Sequence, residues 1–253
     1  MSDATSLDRT IPNAIGTEDD EDSLQKHVSV WYACYGSNLL QARFNCYLRG
    51  GQVPGMSKPC VGARDPTLPS ASFFNWVLYS VFFAYANEST WGFGGGVMFD
   101  LSSKHKDEEN GVNKHRKSCM RLYRVTLQQF NDVVAQENGY HPPMPARNRL
   151  TRALLEEFRK GEEGSYRRMF DEGEYPAVGY LGDHDGLPIL TFTCPTEDVE
   201  KFLSGEIPCA PPAKNYLKVL CKGLVEGGLS EEEAEEYWKQ VIEAQFGSEH
   251  LPN

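Results

Sequence analysis

Tyr35-Gly36-Ser37-Asn38 and Glu137 are the residues of this chain whose types and settings suit chemistry. Val28, Val30, Tyr32 and Cys34, with Trp31 and Ala33 between them, make a β-branched and aromatic run that is apolar on both faces. That is the pattern of a buried central strand. Gly36 stops it, and Ser37 or Asn38 can cap a helix carrying Leu40, Phe44 and Leu48 at i, i+4 and i+8, ended by Gly50-Gly51. A glycine at a strand-to-helix turn lets backbone amides face the space above the strand end. The helix N-terminus adds a partial positive charge worth about 0.3–1 kcal/mol to an anion. The turn is thus a candidate cradle for a carboxylate or oxyanion, although an ordinary capped turn explains the same residues.

Glu137 is the second feature. Phe130, Val133, Val134 and Glu137 stand at i, i+3, i+4 and i+7, so the carboxylate lies in line with an apolar helix stripe. A carboxylate facing the interior is costly unless paired or protonated, and desolvation raises its pKa toward the range of general acid–base work. The alternative is a last-turn glutamate that bends out to water.

The elements that must position these groups are legible in outline. Thr126 can cap a helix from Leu127 to about Glu137, closed by Gly139 and preceded by a strand at Met120–Val125. Ser72–Ala86 is dense in aromatic residues, and Gly92–Gly96 leads into a strand at Val97-Met98-Phe99. Residues 102–118 read as an exposed charged loop, and residues 141–175 as a polar insertion with Leu150, Leu154 and Phe158 spaced for an amphipathic helix. Ala177–Leu181 and Pro188–Thr193 flank a Gly/Asp turn and read as a hairpin. C-terminal helices are expected over residues 216–245, with Leu217, Leu220 and Leu224 on one face and a capping box at Ser230 and Glu233.

A chain of 253 residues, 40% hydrophobic and 24% charged, has a globular composition. The net charge of −11 is concentrated at the ends: residues 1–26 carry seven acids and two bases, and residues 229–253 carry seven acids and one base. The body is neutral with no basic stripe, which argues against nucleic acid as a partner. Residues 1–26 are expected to be a disordered acidic tail, and residues 27–253 a single domain. No apolar run reaches the ~18–20 residues of a bilayer span, and the N-terminus lacks a secretory pattern, so a soluble, cytoplasmic protein that makes no use of a membrane is expected. Seven cysteines without CxxC spacing read as reduced thiols, and His184 between Asp183 and Asp185 reads as part of a turn, so no metal site is expected. GxSxG, GxxxxGK[ST] and HExxH signatures are missing, and no cofactor is expected.

Taken together, the two features lie within a wider pattern. Trp31 to Leu39, with its aromatic strand running into YGSN, resembles the opening of the γ-glutamylcyclotransferase-like family, which includes the plant avirulence-induced proteins and the γ-glutamylamine cyclotransferases. Trp91-Gly92-Phe93-Gly94-Gly95-Gly96-Val97 is similar to that family's tryptophan-glycine strand. Leu122–Val125 and Leu127–Gly139 resemble the strand and helix that deliver its catalytic glutamate. Ala210–Tyr216 followed by Cys221–Leu224 is similar to its C-terminal tyrosine and helix. The matches occur in the family's order across residues 27–229.

The resemblance implies a mixed α/β fold, a small closed mixed β-barrel with flanking helices. It also implies release of 5-oxoproline from a γ-glutamyl amino acid or γ-glutamyl amine, without metal or cofactor, by a monomer or homodimer. The substrate's α-carboxylate and α-amine would be held at Tyr35, Gly36, Ser37 and Asn38, with Tyr216 reaching into the pocket. Glu137 would move the proton. A catalytically inactive module binding a γ-glutamyl or carboxylate ligand is the alternative. The chain departs from the family at several points: Asn138 stands between the glutamate and its glycine, residues 141–175 have no counterpart in short members, and Phe192 replaces a pocket tyrosine. YGSN replaces the YGSL of the glutathione-specific branch.

Overall fold

Ser29–Cys34 forms strand β1, and every residue after Ser29 in it is buried because strands flank it on both sides. It runs antiparallel to β5 (Ser118–Thr126), with Tyr32 opposite Tyr123, and parallel to β8 (Leu187–Thr193), with Trp31 opposite Ile189. Adding β2 (Ser72–Val77), β6 (Tyr166–Arg168) and β7 (Ala177–His184) gives a sheet in the order β2-β5-β1-β8-β7-β6. A separate antiparallel ribbon consists of β3 (Ser80–Ser89) and β4 (Gly92–Asp100). These relations come from a computed structural model that describes residues 18–102 and 117–248; most of the expected charged loop at 102–118 lies outside them.

The fold is mixed α/β, as expected. Among the described residues, the backbone ladders give a six-stranded sheet beside a two-stranded ribbon. The ribbon packs into the same core as the sheet, and Thr193 Oγ1 of β8 also joins the two: it accepts from Phe99 N at 3.0 Å and donates to Phe99 O at 2.6 Å.

Two local expectations are corrected. The helix after β1 does not start at Ser37 or Asn38. Ser37–Leu39 is a 3₁₀ turn, and helix α2 spans Gln41–Arg49 with Leu40 at its N-cap and no side-chain cap. The expected disordered tail is in part ordered: Glu18–Gln25 forms helix α1, while residues 1–17 lie outside the described set. Helix α1 is held by polar partners. Asp22 binds Arg64, whose guanidinium also grips the buried Asp132, and Gln25 bonds Leu150 O and Asn131. Asp132 and Asn131 belong to helix α3 (Leu127–Glu137), which starts with a capping box between Thr126 and Gln129. Within the insertion, α4 covers Arg152–Lys160 and buries Leu155 and Phe158. After β8, α5 covers Thr196–Leu203.

Helices α6 (Lys214–Glu226) and α7 (Glu231–Phe246) complete the fold, α7 with the expected capping box at Ser230 and Glu233. Helix α6 crosses the Ser37–Leu39 turn at Gly223, where an added Cβ would lie 2.5 Å from Leu39 Cβ and 2.9 Å from Leu40 N. Alanine in a helix interior usually gains up to about 1 kcal/mol over glycine. At this site the clash with backbone outweighs that gain, because overpacking costs about 1–3 kcal/mol. Gly223→Ala should therefore lower the urea midpoint; a midpoint equal to or above the parent's would show that α6 can move off the turn.

Candidate active site

The turn after β1 is fixed from beneath. The Tyr123 hydroxyl donates to Asn38 O and Arg121 Nη1 donates to Leu39 O, both at 3.0 Å. Because the turn is 3₁₀ and not the start of α2, the Asn38 side chain is free of capping duty. It reaches Glu137 instead: Asn38 Nδ2 donates to Glu137 Oε1 at 3.2 Å and to the Tyr32 hydroxyl at 3.0 Å. Asn38 Oδ1 is buried with no hydrogen-bond partner.

Glu137, the last residue of α3, is partly buried. Helix α2 supplies its other neighbours. Arg43 and Tyr47 stand one turn apart; Arg43 Nη2 donates to the Tyr47 hydroxyl at 2.6 Å, and the guanidinium carbon lies 4.0 Å from the Tyr47 ring centre. A phenol that accepts from a guanidinium still has one proton to donate. Here it donates to Glu137. Burial pushes the Glu137 pKa above the usual carboxylate range; the Arg43 charge, then the Tyr47 and Asn38 hydrogen bonds, pull it back, and the Glu174 charge adds a further push.

The Tyr216 hydroxyl accepts from Val97 N at 3.4 Å. A phenol that accepts keeps its own proton to donate. The hydroxyl is also 3.2 Å from the position a Cβ at Gly36 would take, so a side chain there would push the hydroxyl back by a few tenths of an ångström. Tyr216 stacks on Trp91 with ring centres 6.0 Å apart.

Tyr35, Gly36, Ser37, Asn38, Glu137 and Tyr216 all line one cavity of about 530 Å³. The six residues singled out in the sequence are thus brought together, with two changes of role. The Tyr35 hydroxyl donates to Phe192 O at 2.6 Å, which ties β1 to β8 and leaves it no proton for a ligand. The positive end of α2 is also taken: Gln41 N donates to Glu226 Oε2 at 3.0 Å, so a carboxylate of the chain itself occupies the expected anion position.

Sequence reasoning missed Arg43, Tyr47 and Glu174. For Arg43 and Tyr47 a signal existed: an arginine four residues before a tyrosine, beside Phe44 on the apolar face of a helix. Nothing local marks Glu174. Its place depends on Asn138, whose Nδ2 donates to Tyr175 O at 3.0 Å and whose Oδ1 accepts from Tyr175 N at 3.1 Å. The residue after Glu137 therefore clamps the end of the 141–175 insertion onto the cavity. Phe192 lines the cavity and stacks on Tyr32 with centres 5.1 Å apart. Among the described residues no group of three His, Cys, Asp or Glu side chains is arranged to hold a metal, and no helix is long and apolar enough to cross a membrane.

Comparison with known proteins gives the following. No family model matches the chain. Histone deacetylase 5 of Arabidopsis thaliana is 41% identical over 218 residues, covering 85% of this chain and 31% of that protein, so the chain spans about a third of its relative's length. Among solved structures, a γ-glutamyl cyclotransferase overlays with a TM-score of 0.44 at 15% identity, over 83% of this chain and 86% of that one. A yeast γ-glutamyl cyclotransferase specific to glutathione overlays with a TM-score of 0.29 at 12% identity, over 87% and 98% of the two chains.

Proposed function

We propose that the chain is a γ-glutamyl cyclotransferase of the family that its YGSN turn and glutamate helix resemble, with Glu137 as the acid–base group. The observation that carries this reading is the hydrogen bond from Asn38 of the strand-end turn to the Glu137 carboxylate, on the wall of a cavity. A substrate seated at the turn would then lie within reach of a proton acceptor. Glu137 takes a proton from the α-amine, and the amine nitrogen attacks the γ-carbonyl carbon of the same molecule. The new C–N bond closes a five-membered lactam. The old bond from the γ-carbon to the amide nitrogen breaks, and Glu137 returns the proton to the departing amine.

The remaining groups have fitting roles. Asn38 holds the Glu137 carboxylate at the cavity wall through its Nδ2. Tyr216 can donate to the carbonyl oxygen as it gains charge, in the manner of an oxyanion hole. Little else is needed, because nucleophile and electrophile belong to one molecule and good intramolecular alignment reaches effective molarities of about 10⁵ M or more. Most of the Arabidopsis relative lies outside the matched stretch.

Phe192, which lacks the pocket hydroxyl of the family, favours a second reading: a module that binds a γ-glutamyl ligand without turning it over. A screen of γ-glutamyl amino acids and amines for 5-oxoproline release separates the two. Product formation that disappears in Glu137→Gln supports the enzyme. A thermal shift with ligand but no product over hours decides for the binding module.

A further inference from the structure

Glu174 is a charged group in the cavity that the proposed chemistry does not use. It is half-buried, and its Oε1 accepts from Asn87 Nδ2 at 2.7 Å. No partner holds Oε2 among the described residues. Two devices put it there. The Asn138 clamp fixes the neighbouring Tyr175 by both backbone groups. A bulge in β3, with Tyr85 at a φ of 58°, places one extra residue between Ala84, opposite Gly96, and Asn87, opposite Gly94. The extra residue shifts the side-chain alternation by one and brings Asn87 to the cavity wall.

Charge then orients the substrate. A γ-glutamyl group carries its own α-carboxylate, which Glu174 repels, whereas at the turn Arg43, the buried cation of the same cavity, offsets the charge of Glu137. The γ-glutamyl end therefore belongs at the turn and Arg43, and the departing amine belongs toward Glu174. Lys58 is the competing charge at the cavity, but it is exposed and water screens it, whereas Glu174 is held in place by Asn87. We propose that Glu174 is a specificity-determining residue that selects γ-glutamyl conjugates whose departing amine carries a second, positively charged group, as a diamine does. The proposal rests on the cyclotransferase reading and names its substrate class.

The test uses three conjugates of nearly equal size: γ-glutamyl butylamide (neutral), γ-glutamyl 4-aminobutylamide (cationic) and γ-glutamyl 4-aminobutyrate (anionic). The parent protein should show kcat/KM at least about 10-fold higher for the cationic than for the neutral conjugate. In Glu174→Gln that ratio should fall close to one, and in Glu174→Lys the anionic conjugate should become the best of the three. A ratio unchanged in Glu174→Gln, or an anionic preference in the parent, overturns the assignment while leaving the cyclotransferase reading intact. If none of the three releases 5-oxoproline, it is that reading which fails. Calorimetric binding of the same conjugates to the parent and to Glu174→Gln then decides the selectivity by itself, with loss of a cation preference expected and equal affinities in both proteins overturning it.

Discussion

Glu137→Gln should release 5-oxoproline at least about 10²-fold more slowly than the parent, because glutamine fills the same space and cannot take a proton. Its Oε1 can still accept the Asn38 hydrogen bond, so the turn and the cavity keep their shape. The variant should also be at least as stable at neutral pH. Burial raises the Glu137 pKa in the folded state, so the stabilising contribution of that group is present below its ordinary pKa and is lost as pH rises through the folded value. Glutamine has no such loss. The melting temperatures of parent and variant should coincide in acid and separate in the variant's favour as the pH rises. A variant that keeps parental turnover on a γ-glutamyl substrate would falsify the assignment of Glu137. A variant that is less stable at pH 8 than at pH 4, relative to the parent, would show that the carboxylate is not desolvated.

The second large effect is expected at Arg43. Its charge is the strongest influence opposing the desolvation of Glu137, and its Nη2 orients the Tyr47 hydroxyl that donates to the same carboxylate. In Arg43→Met both effects are lost, so the Glu137 pKa should rise further. The base must be ionised to accept a proton, and the acidic limb of kcat/KM should move to higher pH. Each unit of that displacement costs tenfold in rate at pH values below the limb. Arg43→Lys retains the charge but not the planar fork that spans Tyr47 and Cys60, where Nη1 lies 2.8 Å from the thiol sulfur. It should restore part of the displacement only. A pH profile of Arg43→Met that is lower throughout with an unmoved limb would show that Arg43 serves packing or ligand binding and does not tune the acid.

These two residues also differ in how far they could be read in advance. The position of Glu137 was legible because α3 begins with a capping box and carries its apolar stripe at regular spacing, so the final residue of the stripe could be placed to within a side chain. Arg43 lies in a helix that starts at Gln41, later than the local caps predict. Capping preference favours Ser37 and Asn38, yet Tyr123, Arg121 and Gly223 press the turn into a tighter 3₁₀ form. Tertiary packing overrode a local preference worth about 1 kcal/mol. The shift matters to function, since it releases Asn38 to bond Glu137 and commits the α2 N-terminus to Glu226.

The N-terminal segment shows the same limit. Composition alone predicts disorder for Glu18-Asp19-Asp20-Glu21-Asp22, because such a run buries little apolar surface. Glu21 and Asp22 are instead engaged by Arg152 and Arg64, basic residues far along the chain. No window of sequence contains both partners.

The amino-acid sequence by itself determined the central strand, the glutamate helix and the terminal capping box, because each depends on apolar periodicity or a cap within a few residues. The tertiary structure alone decided which groups surround the carboxylate. Arg43, Tyr47, Asn138 and Glu174 act on the cavity from three separate stretches of chain, and charge and hydrogen bonding between them depend on distance in space and not on spacing in sequence.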